Sequence, residues 1–365
     1  MERSTRRILA GAGIGIPLVA LGARLWSSQG FTPRLRDARG RPVSEGIASL
    51  EQVRLGGVDQ WLLIRGRSLH NPLLLYLSGG PGSSELAWVR HFNAPLEEHF
   101  TVVQWDQRGA AKSYAARKNQ DDLTVEQFVS DANELLELLT TRFSQQKVFI
   151  VGHSWGSILG VLLAQRRPER VHAFVGTGQQ VNFLENDTLC HLRAYELAMR
   201  YGDYKALARL ARIGPPPYTG RDMTQRYLTL YSLAGRHAGR RGLMPELLSS
   251  MLTAPEYSLR DKVHFFLGLR ETFPRVYPQL ADLDLEAQVP RLDVPVWFLL
   301  GREDYVTPSE LAVRYFDKLE APRKTLLWFE HSGHSPSFEE PGRFNDILTQ
   351  QVRAVAEVRL EAMLH

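Results

Sequence analysis

The chain has 365 residues, of which 44% are hydrophobic and 23% are charged, and its formal net charge is +4. This composition predicts a folded protein of one large or two modest domains. The mild charge, without a long lysine or arginine block, predicts no nucleic-acid partner. The single cysteine, Cys190, excludes an internal disulfide and any metal site built from several cysteines.

A basic head followed by an apolar run opens the chain. Arg6 and Arg7 precede a mostly apolar stretch over residues 8–23. This order is typical of an export signal or membrane anchor and, more loosely, of a twin-arginine signal. The sequence therefore predicts that residues 1–30 export the protein or tether it to a membrane, with the folded part outside the cytoplasm. The alternative is a cytoplasmic protein with a buried N-terminal helix.

Strand patterns begin near residue 47 and alternate with helices. Residues 49–66 are typical of two strands around a Gly-Gly turn, and 72–78 and 100–106 are compact apolar strands. A helix with a capping box at Thr124 and Gln127 follows, then strands at 148–151 and 171–178.

The strand pattern stops between residues 181 and 288 and then returns. That segment is rich in Leu, Ala, Arg and Tyr and is predicted to be helical, whereas 294–301 and 324–330 again read as strands. Alternating strands and helices indicate an α/β fold with a mostly parallel sheet covered by helices on both faces. The helical block is then an insertion at the edge where such sheets bind ligands, and we expect it to act as a lid.

A serine lies between two glycines where the strand at 148–151 passes into a helix. The G-x-S-x-G pattern of residues 152–156 places Ser154 on a sharp turn with its hydroxyl exposed above the sheet. The positive end of the following helix favours an anionic intermediate at this point. Ser154 is therefore a candidate nucleophile, although a Gly/Ser packing turn would produce the same pattern.

A nucleophilic serine requires a base and a carboxylate that orients it. In a sheet of this kind both are expected after later strands, in the order Ser, acid, His. Asp304 follows the strand at 294–301, and His334 follows the strand at 324–330. Glu303 and His331 are the neighbouring alternatives. Thr307 is predicted to be the N-cap of the next helix, with Glu310 as its capping-box partner.

Two backbone N–H groups are needed to stabilise the oxyanion. Trp155, directly after the serine, is expected to supply one, and the loop Gly79-Gly80-Pro81-Gly82 after the strand at 72–78 is expected to supply the other. Glycine allows that backbone to approach a substrate closely, so Gly80 is the predicted second donor.

Five motifs together resemble the proline iminopeptidase branch of the α/β-hydrolase superfamily. They are G-G-P-G at 79–82, D-Q-R-G at 106–109, G-H-S-W-G-S at 152–157, G-R-x-D-x-x-T-P at 301–308 and S-G-H-S at 332–335. The resemblance covers residues 45 to 360. It implies an α/β-hydrolase core formed by 45–180 and 289–365, a helical cap at 181–288, a Ser154–Asp304–His334 triad and an oxyanion hole at Gly80 and Trp155. Segment 106–109 would brace the loops around the site.

The resemblance also implies a substrate class. Such enzymes remove an N-terminal residue, often proline, from small peptides or amides through an acyl-enzyme, without a cofactor or metal ion. Acidic residues of the cap bind the substrate's amine in that family. The candidates here are Glu185, which we favour because it lies where the chain enters the cap, and Asp187, Glu196 and Glu271.

Three alternatives to a peptidase follow from the same residues. An esterase or lactonase would use the same triad and oxyanion hole. A non-catalytic receptor could use the lidded cavity, although its triad would be expected to be incomplete. Epoxide or haloalkane hydrolysis would need an aspartate at this turn, and Ser154 argues against it. The sequence also departs from the family at Ser78, where a histidine is common.

Overall fold

The computed structural model describes residues 30–116, 122–237 and 242–356. The predicted targeting segment, up to residue 29, lies outside these ranges. Within them, each helix is too short or too polar to cross a membrane.

One eight-stranded sheet organises the chain. Its strands lie in the order β1-β2-β4-β3-β5-β6-β7-β8, in which β2 is antiparallel to its two neighbours, β1 and β4, and all other neighbours are parallel. The predicted mostly parallel sheet and all its predicted strands are confirmed. Their bounds are β1 Ile47–Leu55, β2 Val58–Gly66, β3 Leu73–Leu77, β4 Thr101–Asp106, β5 Val148–His153, β6 Val171–Thr177, β7 Val296–Gly301 and β8 Lys324–Phe329.

Helices cover both faces of the sheet because the central strands are apolar on both sides. Every residue of β3, β4, β5 and β7 is buried, as expected for strands between two helical layers. The described α-helices that cover the sheet are α1 Leu86–Phe92, α2 Val125–Arg142, α3 Trp155–Arg166, α10 Ser309–Lys318, α11 Pro336–Glu339 and α12 Pro341–Ile347, and a short helix, α9 Leu285–Gln288, leads into β7.

The segment between β6 and β7 is helical, as its composition predicts. Its main helices are α4 Phe183–Arg200, α5 Tyr204–Ile213, α6 Met223–Ala234, α7 Leu243–Thr253 and α8 Leu259–Val276, and we call them the cap. They enclose an apolar centre that includes Cys190, Leu210, Tyr227, Leu230 and Phe273.

The register of the parallel strands brings several loops to one edge of the sheet. Leu77 pairs with Gly152, His153 with Thr177, and Gly301 with Phe329, so these strands end at nearly the same level. The loops after β3, β5, β6, β7 and β8 therefore meet at this edge, where crevices of α/β sheets bind ligands.

Candidate active site

Ser154 lies at the turn between β5 and α3 in a conformation that non-glycine residues rarely adopt. Its φ is 53° and its ψ is −120°, which costs conformational energy that the surrounding structure must offset. The flanking glycines make the turn possible. A Cβ at Gly152 would lie 2.4 Å from the carbonyl oxygen of Gly156, and one at Gly156 would lie 2.0 Å from that of Leu77.

Asp304 and His334 meet at the ends of β7 and β8. The His334 Nδ1 atom lies 3.1 Å from Oδ2 and 3.2 Å from Oδ1 of Asp304. Burial alone would raise the pKa of Asp304, but the interaction with His334 and hydrogen bonds from His334 and Thr307 hold this pKa below its usual value. The carboxylate is therefore ionised and can orient an imidazole. Of the alternatives, Glu303 and His331 do not take part in this contact.

Thr307 does not cap the helix that follows it, and that prediction is wrong. The cap position of α10 is Pro308, without a side-chain hydrogen bond. The Thr307 hydroxyl instead donates to Oδ2 of Asp304 at 2.6 Å and lies 3.2 Å from Nδ1 of His334. The Thr307 backbone N–H donates to Oδ1 of the same carboxylate at 2.8 Å. The buried carboxylate competes with the helix for this side chain and holds it.

Ser154 and His334 line one cavity of about 380 Å³ between the sheet edge and the cap. Gly80 and Trp155, the predicted oxyanion-hole residues, line it as well. The cap contributes a largely apolar wall, and the loops around it contribute a few polar groups. The remaining lining residues are Ser83, Ile158, Gln180, Phe183, Leu228, Tyr231, Ser232, Met244, Leu269, Phe273, Tyr277, Leu280 and Val306.

Similarity to known proteins supports the same fold and chemistry. A family model described as the alpha/beta hydrolase fold matches residues 72–213. The chain is 34% identical over 317 residues to the probable aminopeptidase YbaC of Bacillus subtilis (strain 168), a match that covers 86% of this chain and 98% of that protein. The chain belongs to the α/β-hydrolase family.

Two further similarities lie in the proline iminopeptidase branch. The chain is 24% identical to the proline iminopeptidase of Heyndrickxia coagulans over 74% of this chain and 87% of that one. The crystal structure of the Mycobacterium smegmatis proline iminopeptidase superposes with a TM-score of 0.60 at 17% identity, covering 85% of this chain and 100% of the other. At that identity the superposition shows the shared fold.

The D-Q-R-G segment of this hydrolase ties the loops around the cavity together. Asp106 accepts hydrogen bonds from Ser84, which follows the glycine loop, and from Tyr257 of the α7–α8 turn. Burial raises the pKa of Asp106 to about 6, against these hydrogen bonds, which lower it. Gln107 accepts a 2.9 Å hydrogen bond from the indole of Trp155. The segment thus joins the glycine loop, the nucleophile turn and the cap.

A buried ion pair beneath the nucleophile turn was missed by sequence reasoning. His153 Nδ1 lies 2.6 Å from Oε1 of Glu85, and both side chains are only 4% exposed. The other ring nitrogen lies 3.0 Å from the carbonyl oxygen of His334. Burial alone would lower the pKa of His153. The negative charge of Glu85 and the hydrogen bond to Glu85 raise this pKa by more than burial lowers it, so the net shift is upward. His153 therefore links the glycine-loop side of the site to the loop that carries His334.

The cap acid predicted to bind an amine, Glu185, lies in a surface ion pair. Arg314 of α10 donates to its two carboxylate oxygens at 2.8 and 2.6 Å, and both side chains are 40% exposed. This pairing holds the pKa of Glu185 below its usual value. Glu185 is not among the residues that line the cavity.

Asp187, one helical half-turn further along α4, has the opposite environment. It is 1% exposed, and its Oδ1 accepts hydrogen bonds from Tyr231 at 3.0 Å and Tyr277 at 2.9 Å. Both tyrosines line the cavity that contains Ser154. Burial raises the pKa of Asp187 to about 7, although hydrogen bonds from neighbouring side chains, Tyr231 among them, lower it. Its Oδ2 has no hydrogen-bond partner among the described residues. A buried carboxylate thus lies directly behind two hydroxyl groups of the cavity wall.

Proposed function

We propose that this hydrolase is a serine aminopeptidase that removes an N-terminal residue from small peptides or amides. The observation that carries the proposal is the buried carboxylate of Asp187 behind Tyr231 and Tyr277. Both hydroxyls donate to Asp187 and also contact each other at the cavity wall, where the lone pairs of their oxygen atoms can accept hydrogen bonds from a substrate ammonium group. The similarity to a probable aminopeptidase supports the same substrate class.

The proposed reaction uses the strand-end residues as a triad. Ser154 Oγ attacks the carbonyl carbon while His334 Nε2 takes its proton, and Asp304 stabilises the resulting imidazolium through Nδ1–H. The backbone N–H groups of Gly80 and Trp155 bind the oxyanion. His334 then protonates the leaving amine as the C–N bond breaks. Water, deprotonated by His334, releases the acyl group from Ser154, and the proton returns to the serine oxygen.

The amine site is tested by Asp187→Asn, which removes the charge and keeps the size. For an aminoacyl arylamide with a free amine we expect KM to rise about tenfold or more, because the negative charge behind the two tyrosine hydroxyls, which attracts the ammonium in a largely apolar cavity, is lost. Hydrolysis of a neutral aryl ester should change by less than about twofold, since it does not use the amine site. Tyr231→Phe should reproduce part of the KM effect.

The contrary outcomes separate the alternatives. An equal loss on both substrates would mean that Asp187 supports the fold of the cap and does not bind an amine. No loss on either substrate would favour an esterase. Among the described residues, the cavity wall carries no carboxylate, ammonium or guanidinium group of its own, and that observation is what favours the esterase as the second candidate.

The pH dependence supplies an independent test of the amine site. Asp187 must be ionised to attract an ammonium, and its pKa is about 7. The ratio of kcat/KM for the arylamide to that for the ester should therefore rise as the pH increases through about 7. It should fall again near the pKa of the substrate's α-amino group, about 8. The ratio cancels every ionisation that affects both substrates equally, and Asp187→Asn should remove the rising limb.

A further inference from the structure

We propose that the cap docks on an anionic lipid surface through one exposed apolar face, so that the mouth of the active-site cavity opens toward the bilayer. The docking face consists of regularly spaced side chains on α7 and α8. They are Met244, Leu248, Leu252, Leu259, Val263 and Phe266, whose exposed fractions range from 38% to 71%.

The spacing of these residues makes one stripe on each helix. On α7 they recur every four residues, and on α8 after four and then three residues. Residues at this spacing lie on the same side of a helix. Exposed apolar side chains that recur along a helix in this way mark an interaction surface.

The described chain begins against the turn that joins these two helices. The Phe31 N–H donates to the carbonyl oxygen of Pro255 at 2.9 Å, and the Thr32 hydroxyl donates to Glu256 at 3.0 Å. Phe31 itself is 65% exposed. The mostly apolar stretch over residues 8–23 precedes this point by fewer than ten residues. A membrane-bound stretch would therefore hold the α7–α8 turn close to the bilayer.

Charge complementarity selects anionic lipid as the partner. The residues that follow the attachment point carry Arg34, Arg36, Arg39 and Arg41 against the single acid Asp37, and all four arginines are exposed. Arginines at the membrane surface attract anionic headgroups, and an apolar element combined with a basic cluster gives stable attachment where either alone is weak.

The two helices run from the attached turn to the mouth of the cavity. Met244, at the start of α7, is 71% exposed and also lines the cavity. On α8 the stripe continues from Phe266 to Leu269, which lines the cavity as well. The docking face thus leads from the attachment point to the entrance above Ser154. A substrate with an apolar chain, dissolved in the bilayer, could enter without crossing water.

Environment-sensitive fluorophores on the full-length chain test the orientation. Leu248→Cys and Leu69→Cys place the probe at residues of nearly equal exposure, 44% and 45%. Leu69 precedes β3 at the sheet edge opposite the cavity. Wild-type protein controls for labelling of Cys190, which is buried. With phosphatidylcholine–phosphatidylglycerol vesicles, the probe at position 248 should shift to the blue and the probe at 69 should not. Phosphatidylcholine alone should give a smaller shift.

Three results would overturn the proposal. Vesicle binding with no shift at position 248 would mean that the cap stays in water. A blue-shifted probe without vesicles that depends on protein concentration would assign the face to a second copy of the chain. A blue-shifted probe without vesicles at every concentration would assign it to the chain's own apolar stretch over residues 8–23.

Hydrolysis of a substrate embedded in vesicles provides a second test of the docking face. Tethering of the protein by residues 8–23 alone would not make this hydrolysis depend on that face. In Phe266→Glu we expect hydrolysis of a long-chain acyl ester embedded in anionic vesicles to fall about tenfold, because a charge replaces an apolar contact with lipid. Hydrolysis of a short soluble ester should be unchanged, which shows that the variant is folded. Leu69→Glu is the matched control and should leave both activities intact. Equal activity of Phe266→Glu and wild type on the vesicle substrate would refute docking through this face. Loss of both activities in Ser154→Ala would concern the hydrolase function and not the docking.

Discussion

The floor of the active-site cavity consists of side chains at the ends of strands, whereas its roof consists of side chains on the helices of the cap. On the floor, Asp304 and His334 make hydrogen bonds, and Ser154 is held in a strained turn by its glycine neighbours. On the roof, the wall is mostly aliphatic and aromatic, and the buried carboxylate of Asp187 lies behind it.

This difference has a physical cause. The strand register fixes where each loop of the floor begins, so a residue directly after a parallel strand has few positions available. The orientation of a cap helix about its own axis is not fixed by a strand register. The packing of the helix decides which of its side chains face the cavity. Glu185 and Asp187, two residues apart on α4, show the consequence: one is ion-paired at the surface and the other is buried beside the cavity wall.

The largest effect is expected on the floor. Ser154→Ala removes the proposed nucleophile, so we expect kcat to fall by about 10⁴-fold or more on both ester and amide substrates. Ser232→Ala, which changes a serine of the roof in the same cavity, is the matched control and should change kcat by less than about threefold. The measurement is initial-rate kinetics with circular dichroism to confirm folding. Substantial turnover by Ser154→Ala would exclude the acyl-enzyme mechanism.

A smaller effect is expected from the ion pair beneath the floor. Glu85→Ala removes the carboxylate that pairs with the buried ring of His153, and we expect a loss of about 3 kcal/mol in the free energy of unfolding. Glu246→Ala is the matched control because it breaks another glutamate–histidine contact, with His91, whose side chains are 37% and 50% exposed. That variant should lose less than about 1 kcal/mol. Urea denaturation measures both.

The same pair predicts a pH dependence of stability. The pKa of His153 is raised in the folded state, where Glu85 and Asp304 are the acidic groups that act on it. The folded protein therefore binds this proton more tightly than the unfolded chain. Its contribution to stability is complete below pH about 6.5, the unfolded pKa, and is lost as the pH rises through the folded pKa. In Glu85→Ala this loss should disappear. A slope that persists in the variant would assign the effect to another group.

The sequence predicts the residues of the cavity floor better than it predicts the buried side chains that hold those residues in place. Ser154 is predicted from its G-x-S-x-G turn, and Asp304 and His334 are predicted from strand ends and chain order; the structure brings the last two into contact. The sequence predicts Thr307 as the cap of the helix that follows it because the capping pattern is a local signal, and a buried carboxylate overrides that signal. The contact between Glu85 and His153 joins residues 68 positions apart, and no local pattern encodes it. The one sequence signal that points to Glu85 is its position soon after the glycine loop.

The smallest effect is expected for Glu185, the cap residue that the sequence favours as the amine-binding acid. Glu185→Gln removes an ion pair with Arg314 in which both side chains are 40% exposed, so solvent screens most of the interaction. We expect a loss of about 0.2–1 kcal/mol in the free energy of unfolding and no change in KM for free-amine substrates. Asp187→Asn, measured in parallel, differs by two positions on the same helix and should raise that KM. If the KM effect appeared in Glu185→Gln and not in Asp187→Asn, the amine would bind at the entrance to the cap, where the sequence places it. The assignment to the buried carboxylate would then be wrong.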